Sequence, residues 1–320
     1  MKKNIYRFLF KIIPIINRLL KRDRSYANDK LLIYYCSEYS LSGGLTDKLK
    51  GILSAYQISK ISKRNFKIIC NQPFSITKIF HKNNINWNIN SQTKQKSLLW
   101  MAKHYDFIDL TNELTINKNI KKILNDKSNV ISIKINQDYG EILNQYTKDE
   151  LGWNYYFNHL FKFSPFSKEA IEIYLNRYDW NKIIGVHCRF INLLEDKIEN
   201  GKILSKEKQQ KLMHKISADL EKILHQNINH KILICTDSDN FLSFIRQSKK
   251  FKDNIIIIDG IPKHSEKNVI ENLALKKILQ DFFMLGECKE VYSITYDEMY
   301  PSAFPKYASK LQDTPFKIIT

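Results

Sequence analysis

The stretch IIGVHCRF at residues 183–190 decides the fold. Side chains alternate across an extended strand, so Ile184, Val186 and Cys188 share one face while His187 and Arg189 share the other. Downstream the pattern alternates between helical and β-type: helix 206–225, strand 231–235, helix 240–249, strand 254–258, helix 269–285 and strand 290–293. Such alternation is the signature of an α/β architecture built on a parallel sheet, and this half of the chain reads as a Rossmann-like domain. In open sheets of that kind the carboxyl ends of the strands face the ligand crevice. His187 and Arg189 would emerge there together, and an arginine fork suits a diphosphate. Read structurally, Arg189 makes an interdomain salt bridge and His187 is a hydrogen-bonded core residue.

Upstream, residues 31–36 read as a buried strand, followed by a polar loop 37–44 and a helix with Leu49, Ile52, Leu53 and Tyr56 on one face. Residues 66–70 form the next strand. From 76 to about 146 the chain is rich in Asn and Lys with little pattern contrast, and inserted helices and loops are expected there. The stretch LFKFSPFSKEAIEIYL then opens with a Ser-Pro stop at 164–165, a candidate hinge, and starts a helix at about Lys168. The organisation expected is a basic N-terminal helix (1–25), a Rossmann-like domain (26–165) and a second Rossmann-like domain (166–320).

The 320 residues include 51 Lys+Arg against 33 Asp+Glu, a formal charge of +18, with 43% hydrophobic residues. That much apolar material excludes a disordered or collagen-like chain, and the charge points to anionic partners. Five widely spaced cysteines without a C-x-x-C pair are expected as free buried packing residues in a reducing compartment. Residues 2–24 set Ile5, Phe8, Leu9, Ile12, Ile13 and Ile16 at helical spacing among eight cations, interrupted by Lys11 and Pro14. A spanning helix needs ~20 mostly apolar residues, so this segment reads either as an amphipathic helix on an anionic membrane surface or as a helix packed on the protein. The matching localisation is cytoplasmic, peripheral on the inner membrane face. Zinc knuckles and ribonucleoprotein-type aromatic motifs are missing from the sequence, and nucleic acid is not an expected partner.

Three further constellations carry polar groups to expected strand ends. In KILICTDSDN (231–240) a buried strand ends in Thr236, Asp237, Ser238 and Asp239. These could contact a base or ribose, hold a metal as an Asp-x-Asp clamp, or cap the next helix. In SGGLTDKLKG (42–51), Gly43 and Gly44 let backbone approach a ligand ahead of a helix N-terminus, with Thr46 as N-cap. It is neither a Walker loop nor a dinucleotide fingerprint. Near the C-terminus, Ser302, Ala303 and Phe304 are expected at a helix start whose N–H groups could take a phosphate.

In this order and at these separations, the four pieces resemble the fucosyltransferase superfamily that includes bacterial α-1,2- and α-1,6-fucosyltransferases, nodulation-type enzymes and protein O-fucosyltransferases. The resemblance covers roughly residues 31–309 and rests on Gly43-Gly44-Leu45, LFKFSP at 160–165, His187-x-Arg189, Thr236-Asp237-Ser238 and Ser302-x-Phe304. It implies a GT-B fold, two Rossmann-like domains facing a cleft, with a GDP-sugar in the C-terminal domain and the acceptor on the N-terminal one. It further implies inverting, metal-independent transfer of fucose from GDP-fucose to a surface glycan, with no cofactor. Arg189 would grip the diphosphate, Asp237 the nucleoside and Ser302 a phosphate. Two departures stand out: the first carboxylates after His-x-Arg are Glu195 and Asp196, which makes Glu195 the candidate base, and residues 296–301 look inserted before Ser302. Open alternatives are a metal-dependent nucleotide-sugar transferase using Asp237 and Asp239, a non-catalytic basic membrane- or RNA-associated protein on a degenerate transferase fold, and a lectin-like regulator.

Overall fold

β-Branched runs too short for helices supply the strands, and a computed structural model describes them within residues 30–36, 43–89, 91–147, 151–194, 203–260, 272–296 and 298–320. The N-terminal helix expected at 1–25 and the candidate base Glu195 lie outside the described residues. The described chain divides into two units, one up to Ser164 and one from Pro165 onward.

In the first unit, β1 (Leu31–Cys36), β2 (Asn65–Cys70), β4 (Lys103–Asp106) and β5 (Val130–Lys134) form a parallel sheet in the order β2-β1-β5-β4. Helix α1 (Leu45–Ile61) connects β1 to β2 and buries Leu49, Ile52, Leu53 and Tyr56 as its spacing dictates. It lies so close to the chain leaving β5 that a Cβ on Gly51 would sit 1.9 Å from the Ile135 carbonyl oxygen. The short helices α2 (Ile76–Ile79), α3 (Gln92–Met101), α4 (Glu113–Leu124), α5 (Gly140–Asn144) and α6 (Trp153–Leu160) fill the remainder. A separate antiparallel pair, β3 (Phe80–Lys82) with β6 (Phe161–Phe163), is held by Phe80 stacked on Phe161 at 4.6 Å.

The low-contrast middle therefore differs from the helices and loops expected of it: VISIK at 130–134 is a buried strand at the centre of the sheet. Its neighbour β4, KHYD, is an edge strand with no fully buried residue, and so carries no hydrophobic run to detect.

The second unit opens with α7 (Pro165–Leu175), three residues before the expected start at Lys168. Proline's fixed φ and missing N–H suit the first helical position, so Ser-Pro here begins a helix instead of delaying one. The sheet runs β11-β10-β7-β8-β9, all parallel, from β7 (Ile183–Cys188), β8 (Lys231–Thr236), β9 (Ile255–Ile257), β10 (Glu290–Ile294) and β11 (Phe316–Ile319). Between them lie α8 (Lys206–Gln226), α9 (Asp239–Gln247), α10 (Asn272–Glu287) and α11 (Phe304–Ser309). Ser205 caps α8 through the Lys208 N–H, and Leu212, Ile216, Leu220 and Ile223 turn one stripe of it into the core. On the sheet's other face, α10 presses on β7 at Gly185, where a Cβ would be 2.8 Å from Leu285 Cδ2. All five cysteines are free and buried. Among the described residues no helix is long and apolar enough to cross a membrane.

Candidate functional site

Strand order fixes where a ligand can enter the second unit. Its first strand, β7, lies between its second, β8, and its fourth, β10, so the chain's progress across the sheet reverses between β7 and β10. Crossovers leave that junction in opposite directions and open a crevice outside the strands' carboxyl ends. Cys188 and Ile294 are register partners at that edge, and the loops leaving the two strands there line the crevice.

After Cys188 comes Arg189, half-buried, with its guanidinium carbon 4.8 Å from the centre of the Tyr300 ring. One residue earlier on the strand, His187 is buried and stacked on Phe304 at 5.4 Å, and Phe304 meets Phe282 edge-on at 5.0 Å. Burial lowers the His187 pKa to about 4, with Asp237 opposing and Arg189 adding to the shift. The ring is therefore neutral at pH 7, and its buried Nδ1 has no hydrogen-bond partner within the described residues. His187 and Phe304, read from motifs far apart in sequence, thus share one aromatic stack.

The turn after Arg189 is fastened from β8. Asp237 accepts hydrogen bonds from the backbone N–H groups of Phe190 (2.7 Å) and Ile191 (2.9 Å), one on each carboxylate oxygen. Ile191 has φ +56°, a left-handed conformation that a β-branched residue seldom adopts, so the turn needs such a fastening. Asp237 is here a buttress of the arginine's loop, a role that a reading of isolated motifs misses because it depends on β8 lying beside β7. Ser238 is buried and caps α9 through the Phe241 N–H at 3.2 Å, the capping alternative among its expected roles. Asp239 is exposed in the first turn of α9. Among the described residues no group of three or more His, Cys, Asp or Glu side chains is placed to hold a metal.

The loop after β10 is anchored at its root. Tyr296 donates a short hydrogen bond to Asp219 of α8, and Lys215 Nζ sits 3.4 Å from the centre of its ring. Beyond it, Ser302 accepts from the Phe304 N–H at 3.3 Å, and Ala303 is the N-cap of α11. The apparently inserted residues supply Tyr300, 51% exposed, to the face of Arg189. Only the strand order could have revealed that contact in advance, since 111 residues separate the two positions in the sequence.

In the first unit Gly43 has φ +70°, and a Cβ there would fall 1.8 Å from Asp47 Oδ2, so the position requires glycine twice over. Gly44, in extended conformation, is the N-cap of α1, and Leu45 is its first residue and is buried. Thr46 is thus not the N-cap expected from the sequence: the helix begins two residues earlier than that cap requires, and the Thr46 hydroxyl is buried without a hydrogen-bond partner among the described residues. Asp47 pairs with Lys50 at 2.6 Å, and the Lys48 ammonium lies 3.0 Å from Cys36 Sγ.

No protein-family model matches the sequence, and no curated protein matches it significantly. Solved structures do match the fold. NodZ, an α-1,6-fucosyltransferase co-crystallised with GDP, aligns over 88% of this chain and 92% of its own, with TM-score 0.55 and 15% identity. NodZ from Bradyrhizobium gives 88% and 92%, TM-score 0.51 and 14% identity. An Arabidopsis thaliana FUT1 variant in complex with GDP gives 91% and 70%, TM-score 0.56 and 12% identity. At these identities the likeness is one of fold: the chain has the GT-B-type α/β architecture of fucosyltransferases, with a parallel sheet in each unit.

Proposed function

We propose that the protein is an inverting, metal-independent glycosyltransferase that moves fucose from GDP-fucose to a surface glycan. The observation that carries this reading is Arg189: a half-buried guanidinium at the β7/β10 switch point, its loop clamped by Asp237 and its face covered by Tyr300. The ring covers the guanidinium face, and the planar fork of an arginine suits a diphosphate. In the reaction the acceptor hydroxyl attacks the anomeric carbon as the bond to the diphosphate oxygen breaks, and the configuration inverts. Charge then grows on the leaving group, and a fixed guanidinium is worth more there than on the ground-state donor, about 3–4 kcal/mol for one preorganised donor. The hydroxyl's proton goes to a carboxylate, for which Glu195 is the candidate. The acceptor belongs to the first unit in this reading, with the Gly43-Gly44-Leu45 loop as a backbone contact, and residues 1–24 hold the chain on the cytoplasmic membrane face. In the metal-dependent alternative Asp237 and Asp239 would hold Mn or Mg, with the Asp237 oxygens shared between the ion and the two backbone N–H groups they accept.

Calorimetric titration of the chain with GDP, UDP and ADP in EDTA tests the donor. Micromolar GDP binding in EDTA, weakened about 100-fold or more by Arg189→Ala, is expected. Binding of UDP alone, and only after Mn is added, would overturn the reading. Partition onto anionic vesicles before and after deletion of residues 1–24 tests the anchor, and equal partition would remove it.

A further inference from the structure

The first unit carries a basic groove on its flank. Strand β2 is the outermost strand of its sheet, and the chain at 85–89 runs beside it, with the Ile68 N–H donating to the Trp87 carbonyl at 3.0 Å. The groove on this flank measures about 1100 Å³ and is lined by Lys67, Lys82, Lys94 and Lys162 and, among the described residues, by no carboxylate. Most of its other polar lining is amide, four asparagines including Asn84 and Asn88.

Charge in this groove is one-sided. Burial, and then the neighbouring Lys82, pushes the Lys67 pKa down, and its ammonium rests on the Asn86 carbonyl at 2.5 Å. A second basic groove, along α4, differs: Asp126 is part of its lining and pairs with Lys103 at 2.5 Å. Clustered like charges of this kind are relieved by an anionic ligand. The four lysines of the flank groove stand on four elements, β2, β3, α3 and β6, which suits a ligand that carries several acidic groups. Single-stranded nucleic acid would need several exposed aromatic faces for its bases, whereas Trp87, Phe80 and Phe66 in the lining are buried and His81 alone among its rings is exposed. Amide groups, by contrast, pair with the hydroxyls of a sugar ring, and ammonium groups with its carboxylates.

We propose that this groove binds a carboxylate-bearing oligosaccharide, its acidic groups on the lysines and its ring hydroxyls on the asparagine amides. The site shares no residue with the β7/β10 crevice and stands whether or not that crevice binds GDP.

The test is calorimetry on the full chain with a hexagalacturonate, a neutral chitohexaose and a hexauridylate. Hexagalacturonate should bind, and Lys82→Glu with Lys162→Glu should weaken it about tenfold or more. The same change in net charge at exposed Lys121 and Lys122 on α4 should cost less than about threefold. Thermal melts establish that the variants fold, and the milder pair Lys82→Gln with Lys162→Gln should weaken binding in the same order. Equal weakening by both charge reversals would reduce the site to general attraction by a +18 chain and overturn the proposal. Absence of hexagalacturonate binding, equal binding of chitohexaose, or tighter binding of hexauridylate would overturn it too.

Discussion

Both units build a parallel sheet, but the strand order reverses once in the second, between β7 and β10, and twice in the first, after β2 and again after β4. The chain segments that leave the inner strands β5 and β10 are treated in opposite ways. In the first unit the chain leaving β5 is sewn to α1: Ser54 Oγ donates to the Gln137 carbonyl at 3.0 Å and accepts from the Tyr139 N–H at 2.9 Å, and Gly51 admits the Ile135 carbonyl against the helix. In the second unit the chain leaving β10 is tied down at Tyr296, after which Tyr300 stands half-exposed over Arg189. Topology and side chains thus agree: the segment leaving β5 is stitched to a helix, and the segment leaving β10, at the switch point, presents a ring to a cation.

That contrast can be broken first at the glycines. Gly51→Ala should destabilise the first unit by about 3 kcal/mol or more, since its Cβ meets backbone that cannot yield. Gly185→Ala should cost about 1–2 kcal/mol, because Leu285 and Cys288 side chains can shift. Denaturant unfolding of the two variants compares them, and equal losses would deny that the helix lies tighter on backbone at Gly51 than on side chains at Gly185.

Next come the histidines, one on each sheet. Burial lowers His104 on β4 to about 4, with Lys134 adding to the shift and Ser132 bonded to its Nδ1, and His187 is lowered to about 4 as well. An unfolded histidine titrates near 6.5, so between about 4 and 6.5 the unfolded chain binds more protons than the folded one. Stability present above about pH 6.5 is therefore lost as pH falls toward 4, by at most about 3 kcal/mol per histidine. His104→Gln and His187→Gln should each flatten the pH dependence of the melting temperature, the former in the first unit and the latter in the second.

Asp237→Ala should cost about 2 kcal/mol by orphaning two backbone donors at a left-handed turn. It should also weaken GDP binding through Arg189, and an Asp237→Ala variant with unchanged GDP affinity would separate the clamp from the site. The smallest effect is expected at Tyr300, where Ala should weaken GDP binding about 2–5-fold and Phe should leave it unchanged.

Much of this architecture was legible because parallel strands are short, continuous and apolar. β1, β7 and β8 announce themselves in sequence, and so do the apolar stripes of α1 and α8. β4 was illegible because an edge strand reading KHYD buries too little to show a pattern, and β5 because five residues amid Lys and Asn offer one short run. At the candidate site the polar ends of β7 and β8 were readable as ligand-facing edges. Their division of labour was not. That Asp237 fastens the turn carrying Arg189, and that Tyr300 covers it, depends on which strands are neighbours, and local spacing holds no information about that.

The buried cysteines have a use of their own. Burial drives the thiol pKa of Cys188, Cys235 and Cys288 well up, while Cys70 is raised first by its bond with Cys36 and then by burial. Since the thiolate is the reactive form, none of these should meet an alkylating reagent unless its surroundings open. Two of the five lie in the first unit and three in the second. Timed alkylation followed by peptide mass mapping would therefore run as a pair of internal clocks, one for each half of the chain, reporting which half breathes faster and which is slowed when a nucleotide is added.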